Sequence, residues 1–109
     1  MADIPEISVQ ELSAEMAGPN PPRLIDVREP SETERGMLPG AEAIPLGQIA
    51  DRLGELNPTD DLVIQCRSGG RSARAAEFLL GQGFQRVRNL KGGAIAWRAE
   101  IDPSFPDLG

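Results

Sequence analysis

The chain has no histidine and one cysteine, Cys66. A lone thiol excludes an internal disulfide, and without His or a second Cys no metal site is expected. The usual proton-transfer side chain near neutral pH is missing as well. No apolar run approaches the roughly 18 residues that cross a membrane, so no membrane association is expected. The N-terminus lacks a basic stretch followed by an apolar segment, so no signal peptide is expected either. Repeats and low-complexity segments are absent. A reducing cytoplasm suits an unpaired thiol.

What remains is the composition of an ordinary globular domain: 109 residues, 39% apolar and 26% charged. Such a length fits one domain with its own core. The expected domain is residues 1–109, with a core over about 4–101 and an extended tail over 102–109. The net charge of -6 argues against nonspecific nucleic-acid binding. It is unevenly spread. Residues 1–61 carry 4 Arg against 13 acidic residues, and residues 62–109 carry 7 basic against 4 acidic. The basic half contains the cysteine and can steer a small anion or a carboxylate toward it.

Residues 62–80 hold the most information. Leu62 to Gln65 is a short, mostly apolar run that reads as a buried strand. Cys66 follows at once. Arg67, Ser68, Gly69 and Gly70 form a tight loop, and from Arg71 the pattern is helical over 71–80, with Ala75, Phe78 and Leu79 on one face. The thiol therefore sits between a strand end and a helix start. A first helical turn offers unpaired N–H groups and the positive end of the dipole. A glycine-rich turn can curl such donors into an anion nest. Arg67, Arg71 and Arg74 add positive charge. These surroundings favour a thiolate, lowering a thiol pKa from roughly 8.5 to about 3.5–7.5. The plainer reading, an inert buried Cys, fits the loop and its arginines less well. A thiol sealed inside, with the neighbouring amides pointing elsewhere, would end the reactive reading.

Elsewhere, strands are expected over Ile7–Val9, Arg23–Val27, Ala43–Leu46 and Arg86–Leu90. Ser8 is a candidate cap for a helix over Val9–Ala17. Ser31 and Glu34 have capping-box spacing for a short acidic helical turn. Helices are expected over about Gly47–Leu56 and Ala94–Glu100, the latter anchored by Ile95 and Trp97. Alternating strands and helices imply an α/β fold, a mostly parallel sheet of about five strands with helices on both faces. Ligands bind such sheets outside the strands' carboxyl ends. Asp26 and Arg28 follow one strand and Cys66 and Arg67 another, so both sets belong to that edge.

Leu24-Ile-Asp-Val-Arg-Glu-Pro30, Leu38-Pro-Gly-Ala41, Ile44-Pro-Leu46, Cys66-Arg-Ser-Gly-Gly-Arg-Ser72 and Asn89-Leu-Lys-Gly-Gly93 with Ala96-Trp97 resemble a rhodanese domain, in order and over nearly the whole chain. The resemblance implies the rhodanese-like fold and sulfurtransferase chemistry, with no cofactor. Cys66 would carry sulfur as a persulfide, and Arg67, Ser68, Gly69, Gly70, Arg71 and Ser72 would form its cradle. Asp26 and Arg28 would be a supporting pair, as structural ion pair or substrate contact. Gly92 to Trp97 followed by Ile101-Asp-Pro-Ser-Phe-Pro106 looks most like the C-terminal rhodanese domain of enzymes that sulfurate ubiquitin-like carriers for molybdopterin and thiolated-tRNA synthesis. Met37 stands where many members have His. The implied partners are thiosulfate or a persulfide as donor, and a ubiquitin-like sulfur carrier or a thioredoxin-type thiol as acceptor. With no second Cys, sulfur must leave to another molecule. Two rivals stand beside this reading. A cysteine-loop phosphatase resembles Cys-x5-Arg, a loop one residue longer than Cys66 to Arg71. A non-catalytic docking module often lacks the cysteine, which is kept here.

Overall fold

The computed structural model describes residues 3–106. Five strands form one sheet: β1 (Glu6–Ile7), β2 (Arg23–Asp26), β3 (Ala41–Ala43), β4 (Asp61–Gln65) and β5 (Arg86–Leu90). Their spatial order is β1-β5-β4-β2-β3, and every pairing is parallel. Strand β4 lies in the middle, which is why its apolar residues run without alternation: Leu62, Val63 and Ile64 are all fully buried.

Helices cover both faces, as the alternating pattern predicts. Leu62, Ile64, Cys66 and Val87 share a core with Ala75, Ala76 and Leu79 of α3 (Gly70–Gly81). On the other face Leu24, Val63 and Leu90 pack with Val9 and Leu12 of α1 (Val9–Met16) and with Ala94 and Trp97 of α4 (Gly93–Glu100). Ser8 caps α1 as expected, its hydroxyl accepting from the Glu11 N–H while the Glu11 carboxylate accepts from the Ser8 N–H.

Several local expectations are corrected. Helix α2 (Pro30–Thr33) starts two residues early, capped at Glu29 rather than Ser31. Pro30 sits at a first-turn position, where its missing N–H costs nothing, and the box pairs Glu29 with Glu32 rather than Ser31 with Glu34. The third strand lies at Ala41–Ala43 rather than Ala43–Leu46, although the Ile44 and Leu46 N–H groups still bond the Asp26 and Val27 carbonyls on either side of Pro45. It is an edge strand, as Pro45 suggests. The turn before it forms with Met37 in place, the Ala41 N–H bonding the Leu38 carbonyl. The helix expected over 47–56 is replaced by two 3-10 turns, Leu46–Gln48 and Leu53–Glu55, yet Ile49 and Leu56 are still buried. Phe78 and Ile95, expected to anchor their helices, are exposed, whereas Trp97 is buried. The tail is not extended through Pro106. The Phe105 N–H bonds the Asp102 carbonyl, and the Phe105 ring is buried. The rest of it, Asp107 to Gly109, lies outside the described residues.

Candidate functional site

Cys66 follows the last residue of β4 and, two positions on from Ile64, faces α3. The chain then turns sharply. Gly69 has φ +108°, a left-handed conformation that glycine adopts without a Cβ clash, and it caps α3. This turn aims the first-turn donors of α3 back at the sulfur. The Gly69 N–H lies 3.1 Å from Sγ, the Ser72 N–H 3.4 Å and the Ser72 Oγ 3.3 Å. The Ser68 N–H adds a smaller pull on the thiol.

The electrostatic result is a balance. Burial pushes the Cys66 thiol up. The Ser72 hydroxyl and the N–H groups of Ser72, Gly69 and Ser68 push it down, and their sum wins, leaving the thiol below its ordinary value. The sequence reading required donors facing the thiol and a path to it. The donors face it. The thiol itself is buried, 1% exposed.

The loop is held from three sides. Helix α4 meets it end-on, the Ala94 N–H bonding the Cys66 carbonyl at 2.9 Å and the Ile95 N–H the Arg67 carbonyl at 3.0 Å. The orphan donors of one helix thus serve the orphan acceptors of the loop. From α2, Glu32 takes Arg71 in a bidentate pair at 2.6 and 2.9 Å. That pair holds the Glu32 carboxyl down at about 2. From β5, the Asn89 Nδ2 donates to the Gly69 carbonyl at 3.2 Å, and the Asn89 Oδ1 meets the Ser72 hydroxyl.

The predicted site residues separate into groups. Ser68, Gly69 and Ser72 converge on the sulfur, and Gly70 opens α3. Arg67 is half-buried on the loop. Arg71 is engaged by Glu32, so its charge is partly spent on holding α2 to α3. Arg74 is exposed and lines a surface groove with Leu46, Ile49 and Phe78. Asp26 and Arg28 form an ion pair whose side chains are 0% and 1% exposed. The Arg28 Nε meets both Asp26 carboxylate oxygens at 3.0 Å, and its Nη2 reaches the Gly36 carbonyl at 2.8 Å. Asp26 pairs in register with Gln65, so the pair is built into the same sheet edge as the thiol. Among the described residues no cluster of three or more His, Cys, Asp or Glu could hold a metal. Nor is any described helix long and apolar enough to cross a membrane.

Sequence reasoning missed three participants: Asn89, Glu32 and the backbone of α4. Asn89 was legible in part. It is two residues from the buried Val87 on one face of β5, so a polar side chain there demands a partner. Glu32 pairs with Arg71 across 39 positions, and no local signal marks it.

The rhodanese-like domain family matches residues 8–100. A protein named sulfurtransferase from Allochromatium vinosum is 44% identical over 84% of this chain and 86% of its own length. A rhodanese-like/PpiC domain-containing protein 12, chloroplastic, from Arabidopsis thaliana is 41% identical over 94% of this chain, which spans only 37% of that relative. A rhodanese-like domain protein from Staphylococcus aureus superposes with a TM-score of 0.82 at 34% identity, covering 86% of this chain and 91% of its own. The relatives also include an adenylyltransferase and sulfurtransferase, MOCS3-2, from Zea mays, 31% identical over 79% of this chain and 19% of its own length. On the family match over nearly its whole length, the chain belongs to the rhodanese-like family.

Proposed function

We propose that the protein is a sulfurtransferase that carries sulfane sulfur on Cys66. The observation that carries this reading is the convergence of the Gly69 and Ser72 N–H groups and the Ser72 hydroxyl on one sulfur atom. Such donors stabilise a thiolate before reaction and a terminal persulfide sulfur after it, the N–H groups already aimed at the site. The sulfurtransferase name of the 44% identical relative supports it.

In the first step the Cys66 thiolate attacks the outer sulfur of thiosulfate. The Cys66 S–S bond forms, the outer sulfur's bond to the sulfonate sulfur breaks, and the electron pair leaves with sulfite. A protein persulfide can give up its outer sulfur in the same way, releasing a thiolate. In the second step an acceptor attacks the terminal sulfur of the Cys66 persulfide, and the Cys66 thiolate leaves. This is covalent catalysis with ping-pong kinetics. The donors on the sulfur lower the thiol, which reduces the need for a separate base. A sulfur this buried suits a donor with a slender, single-atom end. Arg67 is the proposed fork for the donor's sulfonate oxygens. A thioredoxin-type thiol is the proposed acceptor for this attack. With the activated C-terminus of a ubiquitin-like carrier, supported by the likeness to MOCS3-2, the terminal persulfide sulfur instead attacks the acyl carbon and the activating group leaves. An external thiol then cleaves the S–S bond to free the thiocarboxylate, and a second thiol restores Cys66. A reducing compartment such as the cytoplasm keeps the only thiol out of mixed disulfides.

The depth of Cys66 favours a second reading, a docking module that makes no use of the thiol. A steady-state assay separates the readings. Wild type should form thiocyanate from thiosulfate and cyanide, Cys66→Ser should not, and neither should hydrolyse a phenyl phosphate ester. Wild type no better than Cys66→Ser would leave the docking reading. Phosphate release dependent on Cys66 would favour the phosphatase.

A further inference from the structure

One hydroxyl in the site has two acceptors and one proton. The Ser72 Oγ lies 3.3 Å from the Cys66 Sγ and 2.5 Å from the Asn89 Oδ1. The partners decide where the proton rests. The Gly69 carbonyl can only accept, so the Asn89 Nδ2 must face it, at 3.2 Å. That leaves Oδ1, which can only accept, facing Ser72. Asn89 and Ser72 are both buried, so Oδ1 has reason to keep this donor. With the proton on Oδ1, the Ser72 oxygen presents a lone pair to the sulfur. A Cys66 S–H can donate to that lone pair, but a thiolate gains nothing from it until the hydroxyl turns.

From this we propose that Asn89 is a positioning residue, which holds the Ser72 proton away from Cys66 and yields it only when the sulfur carries a full negative charge. Asn89 thus opposes the thiolate, while the N–H groups of Gly69 and Ser72 favour it in either orientation. The hydroxyl turns toward sulfur on ionisation and back on protonation. Serving both acceptors with one proton sets a limit on how far the loop can lower the thiol.

Other charges around the thiol stay fixed in this scheme. They are Arg67 on the loop, Arg71 on α3 with its Glu32 partner from α2, the Asp26–Arg28 pair at the end of β2, and Lys91 beyond β5. Helix α4 meets the loop through the Ala94 and Ile95 N–H groups. Removing Asn89 leaves the Gly69 carbonyl with a donor, because the Ala73 N–H also bonds it at 3.1 Å.

The proposal rests on Cys66 as the reactive group, but its test needs no sulfur transfer. The thiolate absorbance of Cys66 is titrated in wild type, Asn89→Ala, Ser72→Ala and the double variant, with Asn89→Leu as a near-isosteric replacement should Asn89→Ala not fold. Asn89→Ala should move the midpoint down by about half to one pH unit, the scale of one redirected hydrogen bond. Ser72→Ala should move it up, and adding Asn89→Ala to Ser72→Ala should move it no further. A midpoint unmoved or raised by Asn89→Ala would overturn the proposal. So would an equal downward shift with and without Ser72, since Asn89 would then act by another route.

Discussion

Gly93 stands so close to Cys66 that a Cβ built on it would overlap the Cys66 carbonyl oxygen and lie 2.7 Å from that of Arg67. Its φ of +58° is left-handed as well. Two demands therefore fall on one residue: close approach of α4 to the loop, and a turn that other residues resist. Gly93→Ala should cost about 1–2 kcal/mol for the backbone conformation alone, with more from the overlap. The predicted outcome is a lower urea midpoint together with slower alkylation of Cys66. Unchanged alkylation would mean that the loop does not depend on its seat against α4.

The Asp26–Arg28 pair should behave as a buried ion pair. Both side chains are out of solvent, and Arg28 also satisfies the Gly36 carbonyl. Removing one partner strands the other's charge. Asp26→Ala or Arg28→Ala should each destabilise the fold by about 3–5 kcal/mol in denaturant unfolding. Replacing both with apolar residues of similar volume should restore much of that loss. A loss below about 1 kcal/mol in either single variant, the range of exposed pairs, would show that the pair is not shielded.

The Glu32–Arg71 bridge predicts a pH dependence of stability. The Arg71 hydrogen bonds pull the Glu32 carboxyl from 4.5 down to about 2. A depressed acid stabilises the fold above its unfolded pKa, and that stability is lost as pH falls through the folded value. The side chains are 27% and 32% exposed, so screening holds the contribution to about 1 kcal/mol. Wild type should exceed Glu32→Gln by a constant margin above about pH 5, and the margin should close between 4.5 and 2. A margin independent of pH across that window would remove the bridge as its source.

The donors on the sulfur predict the reactivity of the thiol. Iodoacetamide should alkylate Cys66 with a midpoint below that of an ordinary thiol, roughly 8.5. Removing the hydroxyl in Ser72→Ala should raise that midpoint and slow alkylation near neutral pH. A wild-type midpoint at or above roughly 8.5, the ordinary thiol value, would mean that burial outweighs the donors.

The strand, loop and helix around Cys66 were legible because the residue pattern changes period there. Apolar Leu62 to Ile64 give way to two glycines and then to helical spacing. Ser8 with Glu11 was legible as a local capping pattern. The illegible parts depend on choices that sequence alone leaves open. Pro30 moved the start of α2, while the 47–56 segment settled into 3-10 turns with its apolar residues still buried. Helix α3 buries Ala75, Ala76 and Leu79 against the sheet and turns Phe78 outward. Asn89 and Glu32 join the loop from distant elements, and pairing at such separations leaves no periodic trace.

Intact-mass spectrometry tests the carrier role of Cys66 most directly. After treatment with thiosulfate and removal of excess reagent, the protein should gain the mass of one sulfur atom, and cyanide should remove it. Cys66→Ser should gain nothing. A wild-type protein that takes up no sulfur, or a gain that persists in Cys66→Ser, would contradict the role of Cys66 as the carrier.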